Sequence, residues 1–212
     1  MLRSPSAINK HIQQKPLVQV PYLSPRIIVK QIAVYCASSI DLEKKYLDVA
    51  QELGELLSAN GLAIVFGGGD VGLMGVLARA VHAGGGHVTG VIPDRLNQID
   101  GRADALADEL IVTESMSERK SIIWRRSDAF IALAGGIGTL EEFLEVITLK
   151  KLGYHNKPVA LVNTDGLFNR LLEQFEELDR ANFSSYHTRN LFDVVSVPSE
   201  IRFLPAFQEF FK

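Results

Sequence analysis

The stretch from Asp128 to Gly153, DAFIALAGGIGTLEEFLEVITLKKLG, constrains the fold of this chain more than any other. Ala129 to Leu133 is a continuous apolar run, the pattern of a strand covered on both faces, as in a parallel sheet. Leu140, Phe143, Leu144 and Ile147 then recur at i, i+3, i+4 and i+7, the stripe of a helix. Between strand and helix lie Ala134-Gly135-Gly136-Ile137-Gly138-Thr139. Three glycines in four residues let the backbone pass close to another group and adopt dihedrals that a Cβ disfavours. A glycine turn that opens onto a helix directs free N–H groups and the positive end of the helix dipole at one point. Such a point suits an anion, phosphate above all. Thr139 to Glu142 also has the capping-box spacing, with Thr at N-cap and Glu at N3. The spacing therefore leaves Glu142 two roles: closing the helix start, or facing a ligand held by the turn.

The rest of the chain repeats the same alternation. Strands are predicted over 27–35, 62–66, 87–92, 110–112 and 158–162, with a short last one over 194–197. Helices are predicted over 42–59, from Val76 to the glycines at 84–86, and over 116–127, 167–178 and 200–211. Ser115 and Glu118 form a capping box for the 116–127 helix. Residues 94–108 read as polar and irregular. Strands alternating with helices of crossover length predict an α/β fold: a Rossmann-like, doubly wound parallel sheet with helices on both faces. Residues 27–212 read as a single domain of this kind. Residues 1–26 read as an extension, a tail or an arm, because they carry Pro5, Pro16, Pro21 and Pro25 and four basic residues with no acid. They lack the apolar core of a secretory signal. In doubly wound sheets ligands bind at the carboxyl ends of the strands. Three loops fall there: Ser38-Ser39, the segment Gly67 to Gly75 with Gly68, Gly69 and Gly72, and the segment Gly135 to Thr139.

Composition narrows the function. A net charge of −3 over 212 residues argues against a nucleic-acid polymer as partner but not against one small phosphate. No apolar run is long enough for a membrane span. The single cysteine, Cys36, suits a reducing compartment such as the cytoplasm, and it reads as a packed residue. Gly67-x-Gly69-x-x-Gly72 satisfies the dinucleotide fingerprint. It follows the second strand rather than the first, and Asp94 is its only candidate ribose-binding acid, so an NAD-dependent oxidoreductase stays an alternative. The P-loop, G-x-S-x-G and H-E-x-x-H patterns are absent. The histidines at 11, 82, 87, 155 and 187 lack ligand spacing, so neither a metal nor a cofactor is expected. On the 116–127 helix, Arg119 sits three residues from Met116 and three and four from Ile122 and Ile123, at the edge of the apolar face. It either snorkels to water or aims into a cleft beside the glycine turns.

Taken jointly, Met116-Ser-Glu-Arg-Lys120, Ser127-Asp-Ala-Phe-Ile-Ala-Leu133 and Gly135-Gly-Ile-Gly-Thr-Leu-Glu-Glu142 resemble the LOG (Lonely Guy) family, the cytokinin-activating phosphoribohydrolases also labelled lysine decarboxylase-like. Gly67-Gly-Gly-x-x-Gly-Leu-Met-Gly75 and Lys157-Pro158 fit the same pattern. The resemblance spans about residues 30–180. It implies a Rossmann-like homodimer that cleaves the N-glycosidic bond of a purine nucleoside 5′-monophosphate, AMP or an N6-modified AMP, to free base and ribose 5-phosphate. It places the catalytic arginine on Arg119 and the catalytic glutamate on Glu142. Ligand-binding positions fall on Lys120, on Gly136, Ile137, Gly138, Thr139, Leu140, Glu141 and Glu142, and on Thr148. Two positions depart from the pattern: Ala134 stands where the family has proline, and Gly101, beside Asp100, where it tends to have an acid. No lysine is marked for pyridoxal phosphate. A carrier or sensor that binds a nucleotide without chemistry is the other reading this sequence allows.

Overall fold

The computed structural model describes residues 29–100, 106–183 and 187–211, so the 1–26 extension and Gly101 lie outside the described residues. Seven strands form one sheet: β1 (Gln31–Tyr35), β2 (Ala63–Phe66), β3 (Val88–Pro93), β4 (Glu109–Thr113), β5 (Ala129–Ala132), β6 (Val159–Val162) and β7 (Asp193–Val195). Among the described residues six α-helices connect them: α1 (Lys44–Ala59), α2 (Gly72–Ala83), α3 (Asp94–Asp100), α4 (Met116–Arg126), α5 (Ile137–Lys151) and α6 (Asn169–Arg180). The strand order is β4-β3-β2-β1-β5-β6-β7 and every pairing is parallel. The chain winds outward from β1 to β4, then returns across the sheet through α4 to place β5 on the other side of β1. The crevice between β1 and β5 is therefore the switch point where such folds bind ligands.

Both faces of the sheet are covered, as the apolar runs predict. Ile32, Val34, Ile64, Phe66, Ile131 and Leu133 point to one face, under Leu53 and Leu57 of α1 and Leu73, Leu77 and Val81 of α2. Ala33, Tyr35, Val65, Phe130, Ala132 and Leu161 point to the other, under Ile123 of α4, Phe143, Val146 and Ile147 of α5 and Phe175 of α6. Each large apolar side chain taken from water in this way contributes about 1.5–3 kcal/mol. At the start of α4 the Ser115 hydroxyl accepts from Glu118 N–H at 3.2 Å, while the Glu118 carboxylate reaches past the N-cap to Glu114 N–H at 2.9 Å. Among the described residues no helix is long and apolar enough to cross a membrane.

Four local expectations change. Asp94 to Asp100 is a helix, not irregular chain. It is short and polar, held by Asp94 accepting from Gln98 at 2.7 Å, and so carries little apolar periodicity. The last helix dissolves into 3-10 turns at Pro198–Phe203 and Pro205–Phe207. Pro205 has no N–H to continue a helix, and Ile201, Phe207 and Phe210 anchor the segment in the core instead. Helix α2 begins at Gly72, inside the glycine motif. Helix α5 begins at Ile137 with Gly136 at its N-cap, so Thr139 and Glu142 are not a capping box. Thr139 is buried in the first turn and lies over Gly135, where a Cβ would stand 2.0 Å from the Thr139 Oγ1.

Candidate active site

The two glycine turns use their backbone amides differently. At the start of α2, the N–H groups of Leu73 and Met74 donate to the Ala37 carbonyl at 3.0 and 3.4 Å. That helix end is occupied by the loop after β1, and the contact holds Ala37, Ser38 and Ser39 in place. At the start of α5 the first N–H directed back into the turn is that of Leu140, which donates to Gly136 O at 3.0 Å. The N–H groups of Ile137, Gly138 and Thr139 have no partner among the described residues. Three free donors and a helix dipole converge there, the elements of a phosphate site.

These two helix starts flank a cleft of about 420 Å³. Of the residues expected to serve the site, Ser38, Gly69, Arg119, Gly136, Gly138, Thr139, Glu141 and Glu142 line it. Gly68, Gly72, Lys120, Gly135, Ile137, Leu140 and Thr148 do not. Gly68 backs onto β3, where its Cβ would lie 3.3 Å from that of Ile92, and Gly72 packs on the Ser39 carbonyl. Both have positive φ, 78° and 58°, which favours glycine. Ile137 and Thr148 are exposed on α5. Lys120 is tied to Glu141 and to Glu145, the latter at 3.4 Å, and so braces α4 against α5 at the cleft's edge. Its hydrogen bond to Glu141 holds the ammonium pKa above its usual range.

Arg119 and Glu142 meet. Arg119 Nη1 donates to Glu142 Oε1 at 2.9 Å, and both side chains are about nine-tenths buried, at 11% and 12% exposure. Arg119 Nε donates to the Val91 carbonyl within β3 at 3.0 Å. The guanidinium is thus held between β3 and α5, with Nη2 bound to no acceptor among the described residues and so free for a ligand. Burial pushes the Glu142 carboxyl above the ordinary 4.5; the Arg119 cation opposes the shift and Glu141 adds to it. Cys36 lines the same cleft, but burial and then the Glu142 charge push its thiol up, which keeps it protonated and a poor nucleophile.

The structure adds residues that the sequence did not mark. Met74, Ile92, Leu96 and Met116 form an apolar wall of the cleft. An apolar wall with a few convergent polar groups is the usual make-up of a small-molecule site. Leu96 belongs to α3, the helix that lacked a periodic signal, and Met116 opens α4. Gly67 lines the cleft beneath Arg119. The literal G-x-G-x-x-G match would have included Gly67, but for the wrong role.

The family model described as "Possible lysine decarboxylase" matches residues 74–202. The cytokinin riboside 5'-monophosphate phosphoribohydrolase LOG1 of Arabidopsis thaliana is 44% identical over 170 residues, 80% of this chain and 78% of its own. LOG4 of the same plant, with the same enzyme name, is 41% identical over 180 residues, 85% of this chain and 82% of its own. Among solved structures, the molybdenum cofactor binding protein of Rippkaea orientalis superposes with a TM-score of 0.61 at 26% identity, covering 82% of this chain and 93% of that one. The molybdenum cofactor carrier protein of Chlamydomonas reinhardtii gives 0.62 at 24%, over 81% and 92% of the two chains, a likeness of fold. With a family model over more than half its length and relatives above 40% identity over four-fifths of it, the chain belongs to the LOG, lysine decarboxylase-like, family.

Proposed function

We propose that this protein is a phosphoribohydrolase that cleaves the N-glycosidic bond of a purine nucleoside 5′-monophosphate, AMP or an N6-modified AMP, releasing free base and ribose 5-phosphate. The observation that carries the reading is the buried Arg119–Glu142 pair, 2.9 Å apart in a cleft also lined by Gly138 and Thr139, whose N–H groups have no partner among the described residues. The names of the relatives support the same reaction.

In this reading the 5′-phosphate sits on the N–H groups of Ile137, Gly138 and Thr139, and the base lies against the apolar wall of Met74, Leu96 and Met116. As the bond from C1′ to the base nitrogen breaks, the electron pair leaves with the base and positive charge grows on the ribose ring. The Glu142 carboxylate stabilises that charge and takes a proton from the water whose oxygen bonds to C1′; that proton passes on to the departing base nitrogen, so the base leaves neutral and the carboxylate is restored. Arg119 orients the carboxylate and presents Nη2 to the sugar or phosphate, lowering the entropic cost of alignment. No cofactor takes part. We further propose a cytoplasmic homodimer. Leu144 on α5, with Leu152 and Tyr154 just past it, is an exposed apolar surface that a second copy would cover.

The test is base release from AMP and from N6-isopentenyl AMP, followed chromatographically, for the wild type and Glu142→Gln. Glutamine keeps an acceptor for Arg119 but removes the charge. It should bind nucleotide while kcat falls about 10²- to 10⁴-fold. A second reading, a nucleotide or cofactor carrier without chemistry, draws on the likeness to the molybdenum cofactor binding protein. Wild type that binds nucleotide but releases no base from any purine monophosphate would establish that reading instead.

A further inference from the structure

Arg119 is held at three places, and the third is a bare α-carbon. Nε donates to the Val91 carbonyl and Nη1 to Glu142, while Nη2 lies over Gly67. A Cβ on Gly67 would stand 2.1 Å from Nη2 and 3.3 Å from Cζ. The next nearest atom, Met74 Sδ, would be at 3.4 Å, an ordinary contact. The backbone does not ask for glycine at this position. The described glycines with positive φ are 61, 68, 72, 85, 153 and 166, and Gly67 is not among them. The other glycines of the turn are explained differently: Gly68 by its φ, Gly72 by its φ and by backbone crowding, Gly69 by the tip of Met74 at 2.6 Å. At Gly67 the guanidinium alone excludes a side chain.

We propose that Gly67 is a positioning residue for the hydrolytic reaction: its missing side chain is the seat of the Arg119 guanidinium, which keeps Nη1 on Glu142 and Nη2 in the cleft. This rests on the functional reading above, and it gives the first glycine of the motif a role distinct from phosphate binding. Because the obstructed atoms are the far end of a flexible side chain, Gly67→Ala folds and the substitution acts on the position of the guanidinium.

The test combines Gly67→Ala, Arg119→Ala and the double variant, read by base release across pH and by thermal melting. The groups around Glu142 are Arg119 and Lys120 on α4, Glu141 on its own helix, and Tyr35 and Cys36 at the end of β1. Among them only Arg119 touches Gly67. In Gly67→Ala, kcat falls about tenfold or more, because a misplacement of the order of 1 Å is costly. The acid limb of kcat moves to higher pH, since Glu142 loses compensation from the cation. In the Arg119→Ala background the same alanine costs nothing further in kcat or melting temperature. Wild-type kcat in Gly67→Ala, or a loss of kcat with an unmoved acid limb, would overturn the proposal. So would a loss that adds in full to that of Arg119→Ala. If Gly67→Ala alone does not fold, recovery of the Arg119→Ala melting temperature in the double variant supports the seat, and failure of the double variant to fold overturns it. Should the wild type release no base, the hydrolase reading fails by itself. The melting cycle then still decides on Gly67: coupled substitutions support the seat and additive ones refute it.

Discussion

At the scale of single residues the site is an ion pair set against burial. Glu142 is about nine-tenths buried, which alone would drive its carboxyl toward the neutral form. Arg119 at 2.9 Å limits that drift without cancelling it. A carboxylate with a raised pKa is ionised only above that raised value, so activity that needs the anion is lost as pH falls through it. The acid limb of kcat for the wild type is therefore expected above 4.5, the ordinary value for glutamate. A limb at or below that value would show that Glu142 is not the group whose ionisation matters. Lys120 illustrates the opposite case. Its charge is spent on Glu141 and Glu145 at the cleft's edge, so its part in the site is to brace the two helices.

At the scale of elements, the two helix starts that face each other across the cleft have been divided between structure and ligand. Helix α2 gives its first amides to Ala37 and thereby fixes the β1 loop, whereas α5 keeps its own free. Gly136 and Gly138 have nothing within 4 Å of where a Cβ would lie, and both line the cleft. Gly138→Ala should accordingly raise the melting temperature, since alanine in a helix is worth up to about 1 kcal/mol over glycine. The new methyl should crowd the phosphate and raise KM for the monophosphate; calorimetry and steady-state kinetics on one preparation check both halves. Ser115→Ala removes the side-chain cap of α4, which carries Arg119. About 1 kcal/mol of stability should be lost, measured by denaturant unfolding. An unchanged midpoint would mean that α4 is held by packing alone.

At the scale of the molecule, the return crossing through α4 matters most. It lays β5 against β1, with Val34 beside Ile131 and Tyr35 beside Ala132, and so brings residues 36–39 next to the glycine turn that follows β5. The same crossing starts α4 near the carboxyl ends of the strands and lays it across one face of the sheet, so that Arg119 in its first turn reaches both Val91 and Glu142. The exposed apolar residues Leu144, Leu152 and Tyr154 are expected to be covered in a dimer. Light scattering at micromolar concentration should give twice the mass of one chain, and Leu144→Asp should shift it toward the monomer.

Much of this was legible in the chain alone, because the signals are local. The apolar run Ala129–Leu133 could only be a strand covered on both faces, and the stripe that follows could only be a helix, so the parallel sheet followed from short-range pattern. The cap at Ser115 followed too, since it involves neighbours in sequence. The start of α5 did not. Thr139 and Glu142 had the spacing of a cap, but Gly136 took the N-cap and burial drew Thr139 over Gly135. Helix α3 was missed because a two-turn polar helix has no stripe to read. That Gly67 lies beneath a guanidinium, and that two helix starts with similar glycines use their amides differently, are facts of distance between segments far apart in the chain. Only the packing of α4 across the sheet, and of the β1 loop against α2, decided them.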